Sequence, residues 1–338
     1  MSTEFHCKQW VTTQDGLDHL ELDSASVTEP KDNEVLVKIH TVSLNFRDTE
    51  VCMGVYGHHR SIEQGGKLVP CSDMCGTVVK VGNAASKIWP KGQRVLSTFN
   101  QTHVRGQVKE KDMASGLGLP LPGVLAEYRI FPDYGLVAVP DYLSDEEACC
   151  LPIAAVTAWM SINWMQPIGK PITDSNIIVL SQAIITSSSD EKLGKASKLG
   201  ADHTINYRTN PEWQDEVMRI TDGNGADIIL ETGGAQTLRK SFSCITFGGL
   251  ISAIGYLSGK EDDPGDRANT NVLALSRNVT LKGILNGPRD RFEEMLKLYE
   301  DKQIHPVVDK VFAFDKAKEA LKYLFEGGHF GKVVVKVA

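Results

Sequence analysis

At 338 residues, 41% hydrophobic and 23% charged, the chain has the make-up of a two-domain globular protein and excludes a fibre or a disordered tail. Its net charge of −7 repels phosphate backbones and anionic lipid, so neither nucleic acid nor a membrane is an expected partner. No apolar run reaches the roughly 20 residues a membrane span needs, and no leader pattern opens the chain, which reads as cytoplasmic. Seven scattered cysteines, an odd number, read as reduced thiols.

Up to about residue 135 short strands alternate with turns. Val35, Val37 and Ile39 recur with period two, and Gly76 to Gly82, Gln93 to Phe99 and Leu125 to Phe131 continue the pattern. This part reads as a barrel-like β domain. Ser144-Asp145-Glu146-Glu147 is a capping box that opens an apolar helix from Ala148 to about Ile162.

From there strands and helices alternate. Leu193, Ala196 and Leu199 mark one helix, and Trp213, Val217 and Ile220 mark another after Pro211. Asp227 to Leu230 is a strand ending at Gly233-Gly234; Leu238, Phe242 and Ile245 form a helix face; strands Leu250 to Ile254 and Val279 to Leu285 follow. Alternation of this kind predicts a parallel, doubly wound sheet. Gly259 to Asn271 is a polar loop. Phe292, Met295, Leu296 and Tyr299, then Ala317, Leu321 and Leu324, form two more helical faces, the second capped by Asp315 and stopped by Gly327-Gly328. Lys332 to Val337 is a last alternating strand.

Particular segments carry a resemblance. Leu44-Asn45-Phe46-Arg47-Asp48, Val69-Pro70-Cys71-Ser72-Asp73 with Gly76, Leu125-Ala126-Glu127-Tyr128, Leu151-Pro152 with Thr157-Ala158-Trp159, Leu199-Gly200-Ala201-Asp202-His203 and His329-Phe330-Gly331-Lys332-Val333 stand in family order. The chain resembles the zinc-independent quinone oxidoreductase branch of the medium-chain dehydrogenase/reductase superfamily and is similar to fungal zinc-type alcohol dehydrogenase-like proteins. The resemblance implies an α/β fold: a GroES-like catalytic domain (1–135, completed by 287–338) and a Rossmann-type domain (136–286) binding NADP(H). It also implies a small-molecule substrate and a homodimer formed through Rossmann edge strands.

It does not imply zinc. The zinc-using relatives carry a cysteine where this chain has Asn45, and a His-Glu pair where it has Ser72-Asp73. Cys71 and Cys75, with His58 and His59 upstream, are the remaining cluster. Their spacing fits no common zinc pattern, so they read as small buried thiols and the expected metal is none.

A dinucleotide fold needs a glycine-rich turn and a helix after its first strand. After Asn176-Ile177-Ile178-Val179-Leu180 the chain shows only Ser181-Gln182 before Ala183-Ile184-Ile185-Thr186-Ser187, which in the family is already the next strand. Two residues cannot make a parallel crossover. About 20 residues of turn and helix are missing from the family pattern, so the Rossmann domain is truncated. Three explanations stay open: a splicing or gene-model loss, favoured because both flanks are intact; a merged strand from Ile177 to Ser187 with an improvised anion site; or a relative that no longer binds NADPH.

The remaining cofactor positions are present. Ser187, Ser188, Ser189, Lys192 and Tyr207 match positions the family uses for the 2′-phosphate, although Ser189-Asp190 also reads as a plain helix cap. Gly233, Gly234, Gly255, Tyr256 and Leu257 match loops near the nicotinamide, and Phe330 belongs to the cofactor set. For chemistry the resemblance points to Tyr56 as proton donor, Asn45 as an orienting amide and Thr157 near the nicotinamide, while Arg47 and Asp48 read as a structural pair. The implied activity is NADPH-dependent oxidation or reduction of a small conjugated carbonyl, quinone or alcohol/ketone pair. The alternative is a cofactor-free relative acting as a binding protein or non-redox enzyme in the same cleft.

Overall fold

A computed structural model describes residues 5–57, 66–172, 182–261 and 269–338. Contacts divide the chain into two units, Met1–Val156 with Asn286–Ala338, and Thr157–Leu285. Residues 136–156 therefore belong with the β-rich unit rather than the second. Among the described residues no helix is long and apolar enough to cross a membrane.

In the first unit the strand Glu34–Leu44 is the spine. Val35, Val37 and Ile39 are fully buried, as their period-two spacing requires. One edge pairs antiparallel with Asp73–Val81, from Val35 opposite Val81 to Ser43 opposite Asp73. Its other edge is shared: Tyr128–Pro132 takes the first half and Lys332–Lys336 the second, with Val333 opposite Leu44. Gly76 faces the spine where a Cβ would lie 2.3 Å from the Lys38 carbonyl oxygen, so only glycine fits there. Arg94–Ser97 and Leu136–Ala138 extend one side, and Val308–Ala313, a strand the sequence pattern did not reveal, extends the other in parallel with Lys332–Lys336.

The Ser144 capping box forms, with Ser144 Oγ accepting from Glu147 N at 3.2 Å and Glu147 Oε2 accepting from Ser144 N at 3.0 Å. The expected single helix after it is interrupted. Asp145–Ala148 is α-helical, Leu151–Ala155 widens to a π-helical turn, and Val156–Asn163 is α-helical again. Pro152 has no N–H to continue the ladder, and the wider turn frees the Ile153 N–H for a side chain. Asp315 does not cap the last helix. It sits in a 3-10 turn, and Ala317–Glu326 starts after Lys316 and ends on Gly327 at φ 75°.

Asp145, the first residue of its helix, ties that helix to three strands. Its carboxylate accepts from His40 Nδ1 at 2.7 Å, from Arg94 Nε at 2.9 Å and Nη2 at 2.7 Å, and from Cys75 Sγ at 3.4 Å. Those hydrogen bonds, the His40 one foremost, hold its carboxyl well below the usual range.

The second unit is Rossmann-like. Ile184–Ser187 and His203–Asn206 pair in parallel around the helix Asp190–Lys198. Ala226–Glu231, Ile245–Ala253 and Thr280–Gly283 form a second parallel set with helices Leu238–Cys244 and Thr270–Ser276. Ile205, Val217 and Cys244, with Ile184 and Ile229 beside them, join the two sets in one apolar cluster. The expected strand Asn176 to Leu180 lies outside the described residues. The idea of one merged strand from Ile177 to Ser187 is corrected at its described end. Gln182 and Ala183 are not in a strand. Ala183 instead donates its N–H to Asp202 Oδ2 at 2.7 Å and accepts from the Asp202 and His203 N–H groups. A parallel sheet is normally covered on both faces, yet Leu230 in the strand Ala226–Glu231 remains 43% exposed.

Replacing Asp145 by asparagine is expected to lower stability by about 2 kcal/mol at pH 7, read as a urea midpoint. Because the folded carboxyl titrates below its unfolded value of about 3.9, this contribution is present above that pH and fades as pH falls through the folded value. The gap between wild type and Asp145→Asn must therefore shrink under acid; a gap independent of pH would assign the effect to shape rather than charge.

Candidate functional site

The register of the spine strand gathers the first group of residues. Asn45 follows the strand's last residue, Leu44, and precedes the helix Phe46–Cys52. Lys332, which begins the strand opposite, donates from Nζ to Leu44 O at 2.7 Å and to Asn45 Oδ1 at 2.6 Å. Asp73, fully buried, accepts from Ser72 Oγ at 2.6 Å and from Ile153 N at 2.9 Å. Burial pushes its carboxyl up, opposed first by the Lys332 charge and then by Ser72 and Asn45. Asn45 Nδ2 is buried and has no hydrogen-bond partner.

Asp48 is the second buried carboxylate. Its Oδ2 accepts from Asn45 N at 2.8 Å, while Oδ1 receives no hydrogen bond, Arg47 Nη1 standing 3.9 Å away. Burial raises its pKa to about 6 despite Arg47. Arg47 itself clamps a neighbouring loop through Leu117 O at 3.2 Å and Leu119 O at 2.7 Å. The same guanidinium lies 4.7 Å from the Tyr56 ring centre and 4.9 Å from that of Phe99. Tyr56 also packs on Val51, Leu68 and Leu119. Asn45 and Tyr56 are thus linked through Asp48 and Arg47. Cys71 and Cys75 are buried thiols whose pKa burial pushes far up. His58 and His59 lie outside the described residues.

In the second unit, Ser187, Ser188, Ser189, Lys192 and Tyr207 gather at the C-terminal end of Ile184–Ser187, the end at which parallel sheets bind ligands. Ser189 caps the next helix, its Oγ accepting from Lys192 N at 3.4 Å, and Tyr207 N donates to Ser187 O at 3.1 Å. Gly233, Gly234, Gly255, Tyr256 and Leu257 form a second cluster: Leu257 N donates to Thr232 O at 3.1 Å, and a Cβ on Gly234, at φ 88°, would lie 2.7 Å from Tyr256 Cα. Glu231 organises this cluster, and the sequence reading missed it. The buried carboxylate accepts from Gly233 N at 2.8 Å, Gly234 N at 3.0 Å, Thr237 Oγ1 at 2.6 Å and Ser241 Oγ at 2.5 Å. An acid at a strand end with hydroxyls four apart on the following helix was the available signal. Thr157, buried, belongs to this second unit, whereas Phe330 belongs to the first and donates its N–H to Asp309 Oδ1 at 3.0 Å.

Two family descriptions match the chain: an alcohol dehydrogenase GroES-like domain over residues 31–141 and a zinc-binding dehydrogenase domain over residues 199–335. A zinc-type alcohol dehydrogenase-like protein of Schizosaccharomyces pombe is 36% identical across 95% of this chain and 96% of its own length. The chain belongs to the medium-chain dehydrogenase/reductase superfamily. A quinone oxidoreductase-like protein 2 homolog of Nematostella vectensis is 27% identical over 90% of this chain and 81% of its own. A crystal structure from Sinorhizobium meliloti assigned as an alcohol dehydrogenase superposes with a TM-score of 0.85 at 32% identity, covering 98% of this chain and 99% of that one. The S. pombe alignment runs over 343 positions while covering 95% of this 338-residue chain, so that relative carries residues this chain lacks.

The second family description names zinc. Among the described residues, no group of three His, Cys, Asp or Glu side chains is placed to hold a metal ion. Where the family's ligands would stand, Asn45 Oδ1 already accepts from an ammonium and Asp73 is engaged by Ser72 and Ile153. These residues do not fit a tetrahedral zinc site.

Asp48 supplies a pH test. Its folded pKa lies above the unfolded value of about 3.9, so the cost of its burial is absent below that pH and appears as pH rises through about 6. Relative to wild type, Asp48→Asn is expected to gain about 2 kcal/mol between pH 4.5 and pH 8. Urea unfolding at the two pH values checks this, and equal gaps at both would show that Asp48 does not titrate in that window.

Proposed function

We propose that the chain is a zinc-free, NADP(H)-dependent oxidoreductase acting on a small conjugated carbonyl, quinone or alcohol/ketone pair. The observation that carries this reading is that three serines, Tyr207 and Lys192 fall at the C-terminal end of a parallel strand and the start of a nine-residue helix. Hydroxyls, a cation and helix N–H groups suit a 2′-phosphate, and the Asp190 carboxylate in the same turn is engaged by Asn206 Nδ2 at 2.7 Å.

Bound NADPH would supply the hydride. The Tyr56 phenol would donate the proton that the reduced substrate takes up, and Arg47 holds its ring in place. Asn45, its amide oriented by Lys332, aligns the substrate, and Thr157 lines the nicotinamide side. The enzyme works on a small molecule in the cytoplasm as a homodimer.

The second reading, a cofactor-free relative using the same cleft for binding or non-redox chemistry, has its own support. The chain lacks residues that its S. pombe relative has, and the Gly233 and Gly234 N–H groups are already taken by Glu231.

Calorimetric titration with NADPH separates the two. The first reading expects micromolar binding, weakened about tenfold by Lys192→Ala, with less effect on NADH. Unchanged NADPH affinity in Lys192→Ala would remove the 2′-phosphate assignment. No heat, and no protection against thermal unfolding at millimolar NADPH, would establish the cofactor-free reading.

A further inference from the structure

Lys332 has no role in the reading above beyond contact with Asn45, yet the charge balance of the first unit's site turns on it. The pairings of Val333 with Leu44 and of Ser43 with Asp73 bring Lys332, Asn45 and Asp73 to one end of the sheet. An ammonium can only donate. With Nζ at 2.6 Å, Asn45 must present its oxygen to Lys332, and its buried NH₂ group, which has no hydrogen-bond partner, stays at the sheet end that also holds Asp73. A carboxamide between an ammonium and a carboxylate has its dipole aligned with both charges, and the alignment matters most where water is excluded. The two carboxylates here, Asp73 and Asp48, are both fully buried. Arg47, the neighbouring cation, is engaged by the Leu117 and Leu119 carbonyls and by the Tyr56 and Phe99 rings.

We infer that Lys332 is the built-in cation of this site, balancing Asp73 through the Asn45 amide and locking that amide in a single orientation. Lys332 is a positioning residue, since it acts through Asn45. Its effect on turnover rests on the oxidoreductase reading; its pairing with Asp73 does not.

The test compares the full chain carrying Lys332→Met, Lys332→Arg and the double change Lys332→Met with Asp73→Asn, by urea midpoint and by steady-state kinetics with NADPH. Lys332→Met is expected to lower the midpoint, Lys332→Arg to lower it less, and the double variant to recover at least about half of the loss, the signature of coupled sites. In kinetics, Lys332→Met is expected to lower kcat about tenfold or more while the KM for NADPH stays within about twofold. A double variant as unstable as Lys332→Met, folded or not, overturns the inference, as does a Lys332→Met chain with the wild-type midpoint. A wild-type chain that shows no NADPH turnover would sink the oxidoreductase reading alone and leave the midpoints to decide the pairing.

Discussion

The antiparallel register of the strand Glu34–Leu44 governs the rest of the first unit. Side chains alternate faces with a period of two, so a slip of one residue would turn Val35, Val37 and Ile39 from the core to solvent. The same slip would separate Asn45, Asp73 and Lys332, which meet only because Leu44 lies opposite Val333 and Ser43 opposite Asp73. Gly76 protects that register, because a side chain there would collide with the spine's own carbonyl. Packing and chemistry are thus set by one alignment.

Buried or half-buried charge is handled in the same way at three places. Asp145, Asp73 and Glu231 each accept several hydrogen bonds; Asp145 and Asp73 join elements distant in sequence, and Glu231 gathers the turn and helix that follow it. Asp145 ties a helix to three strands. Asp73 draws in the Ile153 N–H released by the π-helical turn at Pro152, and Glu231 folds the Gly233-Gly234 turn around itself. A buried carboxylate left without donors would cost several kcal/mol, so each one enforces the local geometry that supplies them. Asp48 is the exception. One of its oxygens receives no hydrogen bond, and burial raises its pKa to about 6.

The second unit shows a different economy. Its two parallel strand sets share an apolar cluster, but Leu230 and Phe247 stay open to solvent.

The sequence by itself determined the two styles of architecture, the capping box at Ser144, the superfamily and the absence of a glycine-rich turn between Leu180 and Ile184. These are local patterns: periodicity, cap spacing and short motifs depend on neighbours within a few residues. The tertiary structure alone decided that Lys332 reaches Asn45 across 287 positions and that Ile153 serves Asp73. It also decided that Val308–Ala313 is a strand and that the helix after Ser144 breaks at Pro152. Such outcomes depend on which strand lies beside which and on where a buried charge finds its donors, and no periodicity along a single chain encodes that.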